Sequence, residues 1–197
     1  MPLDDTIALV TPEMVANFLD IDLNAASASE TEMIESLINA ASKEIERICN
    51  NRKFRKVTTA IDEIKDGWGI KYIYTKNAPI TGTPTLYYWN GTTWQTDTSW
   101  SFTQDNADGR IWFDDGNIFW KGEDNWKISY TYGWDITEIP ADLQLACLRM
   151  IALNKKLFND SLHGVNSKSF GDQSISYSFN NVPPNVLATL YSYRRIR

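Results

Sequence analysis

Residues 29–48, SETEMIESLINAASKEIERI, decide the helical part of the fold. Apolar residues recur in this stretch at spacings of three and four, the repeat that places them on one face of an α-helix. They are Ile34, Leu37, Ile38, Ala41, Ile45 and Ile48. Ser29 followed by Glu32 fits a capping box, so we predict that a helix of about twenty residues begins at Ser29. The charged residues predicted to face solvent on it are Glu35, Lys43, Glu46 and Arg47.

Three further helices are predicted, one before this long helix and two after it. Thr11-Pro12-Glu13 combines a hydroxyl cap, a proline and an acid, so a short helix should begin there and run to about Leu19. Ile139-Pro140-Ala141-Asp142 opens another, whose last turns carry Lys155 and Lys156. A final short helix is predicted over residues 185–193, after two prolines.

Between residues 57 and 134 the pattern changes to short runs of β-branched and aromatic residues. All eight tryptophans lie here, from Trp68 to Trp134. Pairs that suit tight turns separate the runs: Asp66-Gly67, Asn90-Gly91, Asp108-Gly109 and Asp115-Gly116. We therefore predict five to seven short antiparallel strands, inserted between two helical parts.

The predicted fold class is α+β. A core of three to four helices carries the inserted antiparallel β-region (57–134), and residues 160–181 form an extended arm because they are polar and rich in serine. Residues 182–197 form a C-terminal helix with a basic tip. A length of 197 residues fits one domain, residues 1–197.

Charge and cysteine content limit the class of function. The formal net charge of −6 disfavours general nucleic-acid binding, which depends on lysine and arginine. Cys49 and Cys147 are predicted to be buried, reduced thiols. The N-terminus lacks the basic segment of a signal peptide, and the most apolar stretch, residues 143–153, is too short to span a bilayer. Synthesis in the cytoplasm and no membrane partner are expected.

Catalysis is not expected. His163 is the only histidine, and although Ser161 and Asp160 lie nearby in sequence, a solvated loop histidine is the simpler interpretation. The acidic pairs Asp62-Glu63, Asp114-Asp115 and Glu123-Asp124 could serve as catalytic carboxylates or hold a cation, but acids are common in turns. We predict no enzyme activity, no cofactor and no metal.

The tryptophan-rich region admits two interpretations. Large aromatic side chains fill a small β-core and are enriched at subunit interfaces, which is the favoured interpretation. Aromatic side chains on a sheet also stack on sugar rings, so a carbohydrate-binding module is the alternative function. The arginines at the C-terminus fit either a solvated tail or a tip that docks on an acidic partner.

The order of these segments resembles the head–tail connector, or adaptor, proteins of tailed bacteriophages. The opening helix at Thr11-Pro12-Glu13-Met14-Val15 and the long helix running into residues 49–54 match that pattern. So do Ala78-Pro79-Ile80, Tyr130-Thr131-Tyr132-Gly133-Trp134 and the helix at Ile139-Pro140-Ala141-Asp142-Leu143. The polar arm and the closing helix complete a resemblance that covers nearly the whole chain.

This resemblance implies a structural virion protein in the neck between head and tail. Subunits would form a ring, typically of twelve, beneath the portal of the DNA-filled head. The ring would extend the DNA channel without sequence-specific binding and support the tail or a stopper or completion protein. The portal-binding residues that it implies are Leu187, Leu190, Tyr191, Tyr193, Arg194, Arg195 and Arg197. The arm would reach a neighbouring subunit through Phe170, Ile175, Tyr177 and Phe179.

Overall fold

A computed structural model describes residues 1–159, 167–170, 173–176 and 182–194. The chain folds into two compact units. A helical unit comprises the described residues of 1–51 and 139–194, and a β unit comprises residues 52–138. The α+β class is confirmed, with four helices and antiparallel sheets among the described residues.

The helical unit contains α1 (Pro12–Leu19), α2 (Ala28–Ile48), α3 (Ala141–Asn159) and α4 (Pro184–Tyr193). Thr11 caps α1 as predicted, accepting a hydrogen bond from the Met14 amide. The prediction for the start of α2 was wrong by two residues. Ser27, not Ser29, caps the helix, and its capping box is completed by Glu30 rather than Glu32. Ser27 and Ser29 are each followed by an acid three residues later, and the earlier box is the one that forms.

The predicted apolar face of α2 lies in the core, with Ile34, Ile38 and Ile45 buried. Glu46 was predicted to face solvent, but it is also buried. Its carboxylate pairs with Lys43, whose Nζ lies 3.6 Å from the Glu46 Oε2. A long helix packed against more than one neighbour has a buried sector wider than its apolar stripe. The polar residues beside that stripe are therefore buried too.

Two such buried polar residues fasten the N-terminal segment to α2. Asn39 accepts a hydrogen bond from the Asp4 amide at 2.9 Å and donates one to the Pro2 carbonyl at 2.9 Å. The Ser42 hydroxyl accepts one from the Leu9 amide at 3.1 Å. Residues 8–10 are consequently fully buried.

Helices α2 and α4 both pack on α3, whose buried side carries Leu143, Cys147 and Ile151. Two short strands from the predicted arm, β8 (Ser167–Phe170) and β9 (Gln173–Ser176), pair antiparallel. The rest of residues 160–181 lies outside the described residues.

The β unit contains seven strands in two antiparallel sheets, at the upper end of the predicted number. The strands are β1 (Ile61–Gly67), β2 (Tyr72–Tyr74), β3 (Ile80–Trp89), β4 (Trp94–Gln95), β5 (Phe102–Asp105), β6 (Arg110–Phe113) and β7 (Gly122–Tyr132). One sheet has the order β1-β7-β3-β4 and the other the order β2-β6-β5.

Three of the four predicted turn pairs connect or follow strands, at Asn90-Gly91, Asp108-Gly109 and Asp115-Gly116, and each glycine has a positive φ. The prediction for Asp66-Gly67 was wrong, because Gly67 is the last residue of β1, at an irregularity in its pairing with β7. A Cβ atom on Gly67 would lie 1.8 Å from the Trp120 carbonyl oxygen. This glycine therefore permits a close approach between two segments.

Candidate assembly surfaces

Helix α4 is held to the helical unit by one side. Val186 and Leu190 are buried, and the Cys49 thiol donates a hydrogen bond to the Leu190 carbonyl at 3.4 Å. The Tyr193 hydroxyl donates to the Asp142 carboxylate on α3 at 2.6 Å. Leu190, one of the residues implied to bind a portal, therefore holds α4 in place and is not on the surface.

The other residues of the implied portal-binding set divide into two groups. Leu187 and Tyr193 are partly exposed, Tyr191 is 56% exposed and Arg194 is exposed. Arg195 and Arg197 lie outside the described residues. Tyr191 on α4 and Arg194 directly after it thus present an aromatic ring and a guanidinium close together in sequence, a combination common at protein interfaces.

The residues predicted for the inter-subunit arm are only partly covered. Phe170 lies in β8 and Ile175 in β9, whereas Tyr177 and Phe179 lie outside the described residues. Contact between the arm and a neighbouring subunit stays a prediction.

The tryptophan-rich region forms a core, as the favoured interpretation predicted. Trp126 is fully buried, and the rings of Phe119, Trp120 and Trp100 lie 4.8, 4.5 and 5.5 Å from it, centroid to centroid. Ile111 and Ile128 belong to the same buried cluster. Aromatic rings at these separations add edge-to-face and offset contacts to the apolar burial.

A carboxylate network lies at the edge of this core. Glu63 accepts hydrogen bonds from the Tyr130 hydroxyl at 2.6 Å and from the Lys76 amide at 2.9 Å. The Lys65 Nζ lies 2.7 Å from the Glu63 Oε1. Burial, followed by the negative charge of Glu63, raises the pKa of Tyr130. The network fastens the β2–β3 connection to β1 and β7, which is a structural role.

Other aromatic side chains of the β unit face outward. We define the apolar tip as Trp68, Ile70, Ile118 and Trp120, which are all exposed, with Trp68 at 71%. The residues lie on two segments that pair through hydrogen bonds between Ile70 and Phe119 and from the Gly69 amide to the Phe119 carbonyl. Sequence reasoning did not single out this cluster. Its signal is the presence of large apolar residues inside turn-like sequence, as in Gly67-Trp68-Gly69-Ile70.

The tip lies at the end of the sheet that is far from the chain connections. The chain enters and leaves the β unit where Val57 bonds to Tyr132 and Lys56 to Trp134. Strand β1 runs away from that point to Gly67, which is paired with Gly122. Seven strand residues span about 20 Å, so the tip is the part of the β unit farthest along β1 from its connections.

A second aromatic group lies on the solvent face of the larger sheet. The Lys127 ammonium lies 4.2 Å from the Tyr87 ring centroid and 5.5 Å from that of Trp94, and Trp89 packs edge-on against Trp94. Lys127 also lies 3.4 Å from Asp62. These cation–π contacts join three strands and partly cover the aromatic rings.

The residues considered for catalysis form no reactive arrangement in the part of the chain that the structure describes. Asp160, Ser161 and His163 lie outside it. The acids of the three predicted pairs belong to no group of three or more potential metal ligands among the described residues. Likewise, no described helix has the length and apolar character needed to cross a bilayer.

Both cysteines are buried, as predicted, and neither forms a disulfide. Burial raises the pKa of the Cys147 thiol to about 12, although the Ser42 hydroxyl, 3.9 Å away, opposes this effect. Since the thiolate is the nucleophilic form, Cys147 is unreactive in the folded chain.

Solved structures with a similar fold come from gene transfer agent particles. The neck of an empty particle, computed with C6 symmetry, contains a chain with a TM-score of 0.57 and 17% identity, and the match covers 100% of this chain and 95% of that one. In the neck of a native particle, computed with C12 symmetry, the TM-score is 0.53 and the identity 19%, covering 100% and 97% of the two chains. No curated protein matches.

The sequence profile of the head completion protein family matches residues 8–196, almost the entire chain. That range includes all four described helices and the β unit. This chain belongs to the head completion protein family.

Proposed function

We propose that this chain is a structural virion protein that forms a ring in the neck of a tailed-phage particle, typically of twelve subunits. The ring joins the portal of the DNA-filled head to the tail, or to a stopper or completion protein, and extends the DNA channel. The observation that carries this proposal is the family match over residues 8–196. The similarity in fold to neck chains of gene transfer agents supports it.

Portal docking is assigned to the outer side of α4 and the basic tip that follows it. Tyr191 and Arg194 are exposed there, while Val186 and Leu190 hold the helix to the unit behind it. Tyrosine and arginine are among the residues that carry most binding energy at interfaces. The proposal includes no catalysis and no cofactor. The net charge of −6 suits a channel wall along which DNA slides without adhering, because negative charge repels the phosphates.

Negative-stain electron microscopy of the chain mixed with the portal protein of the same phage tests this function. We expect added density on the portal, and we expect Tyr191→Ser combined with Arg194→Glu to remove it. Point variants are preferable to truncation before α4, because truncation would expose the core around Val186 and Leu190. Phe18→Ser is the matched control, since Phe18 is 43% exposed on α1 of the same unit. A wild-type chain that adds no density to the portal would refute the function.

Carbohydrate binding is the second candidate, favoured by the exposure of Trp68, Trp89 and Trp120 on the β unit. It predicts a glycan-array signal that is lost in Trp89→Ala. A chain that binds no glycan and docks on the portal supports the neck function.

A further inference from the structure

The apolar tip is large for a surface without a partner. Its two tryptophans and two isoleucines expose on the order of 400 Å² of side chain, near the size at which an apolar patch on a soluble protein marks an interaction site. A standard interface buries about 800 Å² on each partner, so the tip has the size of an apolar interface centre.

Acidic residues flank the tip in sequence. Asp66, Asp114, Asp115, Glu123 and Asp124 lie within four residues of its members in sequence and are all exposed. Two lysines, Lys71 and Lys121, are also present, which leaves an acidic excess. A surface that covers the tip must therefore combine apolar side chains with positive charge.

The helical unit carries such a surface on α3. We define the α3 stripe as Leu145, Arg149, Ala152 and Lys156, whose spacings of four, three and four place them on one side of the helix. Leu145 is 37% exposed, Arg149 and Lys156 are exposed, and Ala152 is partly exposed. Solvent-facing helix positions ordinarily carry polar residues of both signs, whereas the four residues of this stripe are apolar or basic. The acid that precedes them on the same side, Asp142, accepts a hydrogen bond from the Tyr193 hydroxyl.

We propose that the apolar tip of one copy docks on the α3 stripe of the next copy, in a head-to-tail contact. The tip and the stripe are different surfaces that complement each other in charge, as a heterologous interface requires, and repetition of such a contact about an axis closes a ring. This inference rests on the proposed function, in which identical subunits form a ring, and it names the two surfaces that join them. Portal docking remains on α4.

Sedimentation velocity from about 1 µM to about 1 mM protein tests the contact. The tip variant is Trp68→Ser with Ile118→Ser, which spares Trp120 because its ring packs on Trp126. The stripe variant is Leu145→Ser with Arg149→Glu. We expect wild-type chains to associate, and each variant to associate at least about tenfold more weakly, because tryptophan and arginine dominate interface energies. Ile64→Ser and Phe18→Ser are controls for the two units, with exposed fractions of 51% and 43%, and should behave as wild type.

Mixing the two variants gives the discriminating result. The tip variant keeps an intact stripe, and the stripe variant keeps an intact tip, so the mixture contains one functional pair of surfaces. At a concentration at which each variant alone stays monomeric, a head-to-tail contact yields heterodimers that cannot grow further. Two surfaces that each bound themselves would give no such heterodimer.

Three results would overturn the inference: a wild-type chain that is monomeric at about 1 mM, variants that associate as wild type does, or a mixture without heterodimers. Circular dichroism of each variant establishes that it is folded. Portal docking by the tip and stripe variants separates the two proposals. If the variants dock on the portal and also associate with one another as strongly as the wild-type chain does, only this contact is refuted. A wild-type chain that fails to dock on the portal refutes the neck function.

Discussion

Replacement of Tyr130 by phenylalanine removes one hydroxyl from the carboxylate network of the β unit. That hydroxyl donates to Glu63 at 2.6 Å and accepts from the Asn77 amide at 3.2 Å, and Tyr130 is buried. The ring itself is retained, so the packing of the core against Tyr132 changes little.

The expected loss follows from the nature of the two hydrogen bonds. A bond to a charged, shielded partner contributes about 1.5–3 kcal/mol, and the Asn77 amide is left buried without its acceptor. We expect Tyr130→Phe to lower the free energy of unfolding of the β unit by about 2 kcal/mol. With a urea m value of about 1 kcal/mol/M, the midpoint should fall by about 2 M.

Tryptophan fluorescence is the suitable probe, because all eight tryptophans belong to the β unit and none to the helical unit. Tyr87→Phe is the matched control, since its hydroxyl makes no hydrogen bond within the described residues and its ring lies on the solvent face beside Lys127. A loss below about 0.5 kcal/mol, or an equal loss in Tyr87→Phe, would refute the reasoning.

The same variant has a defined pH dependence. The pKa of Tyr130 is raised in the folded chain, so above its ordinary value of 10 the unfolded phenol releases a proton that the folded one retains. Its stabilising contribution is therefore fully present below pH 10 and is lost as the pH rises further. The difference between wild type and Tyr130→Phe should shrink by about 1 kcal/mol between pH 10 and 11, and a constant difference would contradict the burial argument.

Three other predictions concern the cores. Asn39→Ala should lower the stability of the helical unit by about 2 kcal/mol, followed by circular dichroism at 222 nm, because two hydrogen bonds to the N-terminal segment are lost. Cys147 should resist Ellman's reagent in the folded chain. The difference in free energy of unfolding between wild type and Cys147→Ala should narrow by about 1.4 kcal/mol per pH unit above pH 9, because the thiol ionises there in the unfolded chain but not in the folded one. Trp126→Leu should cost the β unit about 3 kcal/mol in urea unfolding, because its ring fills the centre of the aromatic core.

Local signals predicted the helices well, because a cap and an apolar repeat act within one turn of the chain. The starts of α1 and α3 and the repeat on α2 are examples. Two capping boxes that overlap by two residues cannot be ranked locally, which is why Ser29 was predicted instead of Ser27. Burial of Glu46 depends on neighbours distant in sequence, so its position beside the apolar stripe gave no warning.

The resemblance to phage head–tail connector proteins is confirmed at the level of the family. Leu187, Leu190, Tyr191 and Tyr193 could be placed on the last helix from sequence, but their division into buried and exposed members could not be predicted. Leu187 and Leu190 are three residues apart on one helix, and only the packing of α4 determines that Leu190 faces inward.

Strand register explains why the apolar tip could not be predicted. Tyr87, Tyr88 and Trp89 are consecutive aromatic residues, so a period of two gives no indication of which of them faces the core. The pairing of Tyr88 with Trp126 settles this, and it places Tyr87 opposite Lys127 on the solvent face. The separate pairing of β1 with β7 brings Gly67 opposite Gly122, where a missing side chain lets the segment at Trp120 approach. The exposed cluster of Trp68, Ile70, Ile118 and Trp120 thus depends on register and one close backbone contact, neither of which a single sequence encodes locally.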